Sequence, residues 1–271
     1  MASIRHSLEL IFLGTGPAMG LDGRWTSVYA LQLGQRLILI DCGPAIIQQL
    51  QAVGMPPHAI TDLCFTHAHA DHALGFPMLM LWRLFKAPAG IGLPRVIASE
   101  AVLAALDAIV RQTLGGEAPA VQAGPRVALP AESPATVALY DDIILRTWPM
   151  QHSPCAPVLG LRYEIRDKVI SFTGDTGPCE NIVALGRNAD LLVHEATFSA
   201  TLDPGLAEGA HGHSTARIAG RHAAAAGARR LALVHMDVTQ AGQESVYLAE
   251  AAEEFQGPVS APMGGAIYSL E

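Results

Sequence analysis

Three of the chain's 11 histidines fall within the run Thr66, His67, Ala68, His69, Ala70, Asp71, His72. Three imidazoles and a carboxylate this close together repel one another when the rings are protonated and are costly to bury without partners. A bound divalent cation removes both penalties. The run therefore reads as metal-binding chemistry rather than as a solvated polar turn. A strand is predicted over 62–65, which places the cluster in the loop at that strand's C-terminal end, where α/β folds present their sites.

The elements that must hold this loop in place follow from the hydrophobic pattern. Short apolar runs bounded by Gly, Pro and Asp predict strands over 8–13, 28–33, 36–40, 62–65, 96–98, 143–148, 159–165, 169–173, 191–194, 231–234 and 266–270. Helices are predicted over 45–53, 99–113 and 214–226. The second opens on Ser99 and Glu100, and the third opens on Ser214 and Thr215 and stops at Gly227. Residues 119–134 read as a surface loop, and 75–134 as an insertion whose Met-rich start (Met78, Leu79, Met80, Leu81, Trp82, Leu84, Phe85) suits core, a pocket wall or a dimer face. No linker or repeat divides the chain, so a single α/β domain over 1–271 is expected.

The H-x-H-x-D-H run resembles the signature of the metallo-β-lactamase superfamily, and the resemblance implies a four-layer αββα sandwich. It also implies further ligands, each after a predicted strand: His152, Asp175 and His235. In that pattern His67, His69 and His152 hold one divalent ion, Asp71, His72 and His235 hold a second, and Asp175 bridges them. Asp41 would fix the tautomer of a ligating histidine. The metal implied is zinc, with manganese or iron tolerated. The Gly14, Thr15, Gly16 turn matches the superfamily's opening loop and reads as a tight turn near the site. Two further segments, Leu191 to Phe198 with His194 and Glu195, and Gly212 to Ala216 with His213, resemble the ribonuclease Z-like branch. That likeness casts Glu195 as the group that orients His213 and His213 as a proton donor or transition-state contact to the scissile group, while Asp71, a ligand with a free oxygen, would hold or deprotonate the attacking water. His194 reads as core, His211 and His222 as surface or loop, and His6 and His58 carry no signal. Trp25 and Trp148 are the aromatics expected nearest the substrate.

Reaction class and partners follow from the same likeness together with composition. Two cations about 3.5–4 Å apart would share a water of lowered pKa, a set suited to a phosphodiester and equally to lactones or sulfate esters. Transfer-RNA-processing members carry a long arm between the positions of His152 and Asp175, which in this chain are only 23 apart. With 15 Arg, two Lys and a net charge of −8, nucleic acid is disfavoured. The expected substrate is thus a small phosphodiester or related ester; tRNA 3′ processing and a non-catalytic metal-binding module are the rivals, and a homodimer is expected. Cysteines 42, 64, 155 and 179 show no C-x-x-C spacing and read as reduced, mostly core residues. The charges within 63–85 exclude a membrane span, and the start of the chain suits a strand better than a signal peptide. The chain reads as cytoplasmic.

Overall fold

A computed structural model describes residues 7–18, 24–152, 157–206, 209–237 and 242–270; His6 and Cys155 lie outside them. In chain order the elements are β1 (Leu8–Gly14), β2 (Val28–Leu33), β3 (Arg36–Ile40), α1 (Ile46–Ala52), β4 (Asp62–Cys64), α2 (Ala70–Ala73), α3 (Phe76–Lys86), β5 (Arg95–Ser99), α4 (Glu100–Leu114), α5 (Ala118–Gln122) and β6 (Arg126–Leu129). The second half continues with β7 (Ala135–Tyr140), β8 (Ile143–Met150), β9 (Val158–Ile165), β10 (Lys168–Phe172), α6 (Asn181–Gly186), β11 (Leu191–Glu195), α7 (Ala216–Ala226), β12 (Leu231–Val234), α8 (Glu244–Glu254), β13 (Val259–Ser260) and β14 (Ile267–Leu270).

Two mixed sheets result, in the orders β14-β1-β2-β3-β4-β5-β6 and β13-β12-β11-β10-β9-β8-β7. Their strands read as continuous apolar runs because both faces are buried. Alternate residues sort to opposite sides. Leu10 and Phe12 of β1, Ile38 and Ile40 of β3, and Leu191 and Val193 of β11 fill the space between the sheets. Ile11, Leu37 and Leu39 face the other way, onto α1, α3, α4 and α5. Leu192, Leu231 and Leu233 meet α7 and α8, while Met150 and Val158 meet α6. The αββα layering expected from the resemblance is the observed fold.

The pairings β3–β4–β5–β6 and β10–β11–β12–β13 are parallel. Parallel neighbours require helical crossovers, so all their C-terminal ends emerge on the same edge. The two helices with readable N-caps are capped as their residues suggest. Ser99 Oγ accepts from Val102 N and Thr215 Oγ1 from Ile218 N, so Thr215 rather than Ser214 is the capping residue of α7.

Two expectations are corrected. Residues 119–134 are no open loop: Pro119 sits in the first turn of α5, and β6 extends the first sheet at its edge. An edge strand is only half buried, as is β7 at the far edge of the second sheet, so neither carries the apolar run that marks an interior strand. The segment 75–134 is likewise integral to the first sheet, to which it supplies β5 and β6. Within it α3 is core cover. Phe76, Leu79 and Met80 are buried, and the buried Arg83 donates to the carbonyls of Pro57, His58 and Ile60. Helix α8 escaped the periodicity because the few residues it buries, Tyr247, Glu250 and Ala251, include an acid. Among the described residues no helix is long and apolar enough to cross a membrane.

Candidate metal centre

Six strand ends converge on one edge of the sandwich. Asp41 follows β3, His67 to His72 follow β4, His152 follows β8, Asp175 follows β10, Glu195 ends β11, and His235 follows β12. Asp41 and His235 adopt left-handed backbone, with φ of 62° and 58°. Non-glycine residues there cost roughly 1–2 kcal/mol each, and such strain persists where the surrounding structure fixes it. Both carry site side chains. The loop after β3 also passes so close to the histidine run that a Cβ on Gly43 would lie 2.4 Å from Asp71 O.

All seven residues expected as ligands come together, in two groups that share one carboxylate. One holds His67, His69, His152 and Asp175, the other Asp71, His72, Asp175 and His235, with donor atoms within 4.8 Å of one another in each group. Asp175 Oδ2 lies 3.8 Å from His67 Nε2, 3.4 Å from His72 Nε2 and 3.3 Å from His235 Nε2. Asp71 Oδ2 lies 3.3 Å from His72 Nε2 and 3.4 Å from His235 Nε2. His69 Nδ1 and His152 Nε2 are 3.2 Å apart.

The outer nitrogens settle which tautomers are present. His72 Nδ1 donates to Asp41 Oδ2 at 2.8 Å, and His152 Nδ1 donates to Gly212 O at 2.8 Å. Thr66 Oγ1 gives its proton to Asp41 Oδ2 and so accepts from His67 Nδ1 at 2.9 Å. Thr197 Oγ1 gives its proton to Glu195 Oε2 and accepts from His235 Nδ1 at 2.9 Å. With Nδ1–H committed in all four rings, each Nε2 faces inward, where in its deprotonated form it offers a lone pair to a cation. The Nε2 atoms of His67 and His72 are buried without a hydrogen bond, a costly arrangement that a cation relieves. Asp41 stands where expected; Thr66, Thr197 and the Gly212 carbonyl were not singled out. Thr197 was within reach, since it sits two residues after Glu195.

Electrostatics fit the same role. Burial and the neighbouring His72 charge push His67 well below the usual imidazole range. Burial works against charge on His72 too, but Asp175, Asp41 and Asp71 outweigh it and push the ring well above the usual imidazole range. Burial alone would raise Asp175; the His235 and His72 charges drive it well below the carboxylate range. His72 and His235 are thus both shifted upward by the carboxylates whose charge a cation would neutralise.

Beside the groups, His213 Nδ1 donates to Glu195 Oε1 at 2.9 Å. Glu195 is locked in turn by Thr176 N, Thr197 N and Ser214 N. The His213 ring lies 4.7 Å from that of His152 and 5.3 Å from that of His235, centroid to centroid. A cleft of about 600 Å³ opens over the cluster, lined among the described residues by Ala18, His69, Asp71, His152, Asp175, Gly209, His211, Gly212, His213 and His235. The Gly14 to Gly16 turn adjoins it, Thr15 O accepting from His235 N. Trp25 and Trp148 are not among the lining residues, contrary to expectation. Trp148 packs instead on the α6 side, against the Met150 and Ile182 cluster.

Comparison with known proteins agrees with this geometry. Residues 8–213 match the family described as "Anti-Pycsar protein Apyc1". A protein from Mycobacterium avium named Ribonuclease Z is 30% identical over 265 residues, covering 93% of this chain and 94% of the relative. The chain belongs to this Apyc1 family, in the ribonuclease Z-like branch of the metallo-β-lactamase fold. Among solved structures, the metallo-β-lactamase-fold protein YhfI from Bacillus subtilis superposes with a TM-score of 0.80 at 21% identity, covering 98% of this chain and 100% of its own. The short form of human tRNase Z gives 0.78 at 22% identity, covering 97% and 99%.

Membership makes this ribonuclease Z-like protein a metal-dependent hydrolase. It also overturns the expectation that nucleic acid is an improbable partner, because relatives matching nearly the whole chain are named Ribonuclease Z. The net charge of −8 is a sum over the entire chain, whereas the cleft itself is lined by histidines and built for cations.

His222 is corrected as well. Rather than lying free on the surface, its Nδ1 donates at 3.0 Å to Nε2 of the fully buried His194, whose own Nδ1 donates to Glu195 O. Burial pushes His194 down to about 3 and His222 down to about 4. Both are neutral in the folded protein at pH 7, while in the unfolded chain each takes up a proton near 6.5. Their contribution is therefore complete above about pH 6.5 and is lost as pH falls through 4 and 3. Urea unfolding of metal-free protein is expected to show a loss of roughly 1–2 kcal/mol per histidine between pH 7 and pH 5. His222→Leu should remove about half of that dependence; an unchanged pH profile in the variant would refute the assignment.

Proposed function

We propose that the protein is a dinuclear metal-dependent phosphodiesterase acting on a small phosphodiester. The observation that carries this reading is the Glu195–His213 pair beside two ligand groups joined by Asp175. His67, His69 and His152 would hold one cation, Asp71, His72 and His235 the other, and Asp175 both. The imidazole-rich set favours zinc. When bound, the cations supply Lewis acidity and a water of lowered pKa. The chain supplies the rest. Asp71 keeps one carboxylate oxygen able to accept the attacking water's proton. Glu195 holds His213 by Nδ1, leaving Nε2 to deliver a proton to the departing oxygen.

Processing of an RNA 3′ end is the second reading, favoured by the relatives named Ribonuclease Z. It uses the same bond type and the same residues. One assay separates the two: zinc- or manganese-loaded protein with bis(p-nitrophenyl) phosphate, with and without a 3′-extended tRNA precursor. Turnover of the small diester is the expected result. Trimming of the RNA would give the second reading precedence, and turnover of neither would remove both.

A further inference from the structure

His235 keeps its left-handed backbone, φ 58°, only because its surroundings hold it there. Two loops do so. Its N–H donates to Thr15 O at 2.8 Å, and its Nδ1 donates to Thr197 Oγ1 at 2.9 Å. Both loops are in turn tied to one helix, α8, which begins nine positions after His235. Glu244 Oε1 accepts from Arg24 Nη2 at 2.9 Å, and Nη1 of that buried guanidinium donates to Thr15 Oγ1 at 3.2 Å. The Tyr247 hydroxyl reaches Thr197 O at 3.5 Å. Glu250, only 2% exposed, accepts from Ser199 Oγ at 2.5 Å, Ala200 N at 2.9 Å and Thr201 N at 2.7 Å. A carboxylate is costly to bury, and this one directs both oxygens at a single turn just beyond Thr197. Residues 244, 247 and 250 are spaced by three and share one side of α8. Glu253 lies on the other side, in an exposed pair with Arg217 at 3.0 Å.

We propose that α8 is the positioning element for His235: Glu244, acting through Arg24 and Thr15, and Glu250, acting through the 199–201 turn, hold this strained residue in the geometry that takes a cation. The inference rests on the two-cation reading and makes the two ion positions unequal. The rings of His67, His72 and His152 are oriented from other elements, by Thr66, Asp41 and Gly212 O. Loss of an acid on the inner side of α8 is therefore felt by the cation on Asp71, His72 and His235, and not by the one on His67, His69 and His152. Groups that orient a ligand change metal affinity by about 10–100-fold when removed. Because α8 acts one contact further out, the lower end, about tenfold, is expected.

The test reads zinc affinity by competition with a chromogenic chelator, in two backgrounds. His69→Ala leaves the set containing His235 intact, and His235→Ala leaves the set of His67, His69 and His152. Glu250→Gln sets an amide N–H against the N–H donors of the turn. It should weaken zinc about tenfold in the His69→Ala background and by no more than about twofold in His235→Ala. Glu244→Ala should act in the same direction, and, since its carboxylate is partly exposed, it carries the test if Glu250→Gln fails to fold. Glu253→Ala, on the far side of the same helix, should change neither affinity. An equal loss in the two backgrounds would mean that α8 supports the fold and not the ligand, and would overturn the inference. So would affinity unchanged in both, or a loss in Glu253→Ala that matches Glu250→Gln. Wild-type protein that retains no more than one zinc per chain would instead bring down the two-cation reading, and this inference with it. Two zinc ions in the wild type with equal losses in the two backgrounds would sink this inference alone.

Discussion

Asp175→Ala is expected to strip cations from both halves of the site and to lower turnover of bis(p-nitrophenyl) phosphate by at least about 10³-fold, some 4 kcal/mol of transition-state stabilisation. Its carboxylate is the one group common to the two ligand sets, with Oδ2 3.3–3.8 Å from His235, His72 and His67. Every other ligand belongs to one set. Removing His69 should therefore weaken one cation preferentially, whereas removing Asp175 should weaken both. Elemental analysis of protein dialysed against limiting zinc checks this directly: zinc per chain should fall further in Asp175→Ala than in His69→Ala. Equal zinc retention in the two variants would contradict a bridging role.

His213→Ala should leave zinc content at the wild-type level and reduce kcat by about 10²–10⁴-fold, the range for loss of a general acid. The ring touches His152 and His235 only face to edge or face to face, and its Nδ1 is committed to Glu195, so it is not needed to complete either ligand group. The defect should depend on the leaving group. A phenolate such as p-nitrophenolate departs with little protonic help, so the loss should be small there and large with an alkoxide leaving group. Glu195→Gln should show a milder form of the same pattern, because Gln can still accept from His213 Nδ1 but brings no charge. Wild-type kcat on an alkyl ester in His213→Ala would dismiss the proton-donor role.

How much of this was legible beforehand depended on what each residue answers to. Interior strands such as β3, β4, β11 and β12 announced themselves because burial on both faces leaves an unbroken apolar run. The edge strands β6 and β7 and the acid-bearing helix α8 did not, since exposure on one side dilutes the pattern. The histidine run needed no structure to be noticed, and likeness to a known signature extended it to His152, Asp175 and His235. The threonines that orient those rings could not be weighed in the same way. Thr66 and Thr197 are common residues at strand ends, and only the observed distances show that their hydroxyl protons go to Asp41 and Glu195, leaving a lone pair for the imidazole. The His194–His222 contact joins a strand to a helix 28 residues away, a pairing that packing alone decides.

The cluster's donors come from both sheets, with His67 to His72 from the first and His152, Asp175 and His235 from the second. Asp71 and His235, which meet at 3.4 Å, are 164 residues apart in the chain. During synthesis β1 to β6 and the histidine run leave the ribosome long before the second sheet exists to oppose them. A polypeptide at that stage offers a cation too few donors to retain it. Tight metal capture must therefore wait until β12 is in place, which makes it a late event in biogenesis and a natural reporter that the two halves have docked.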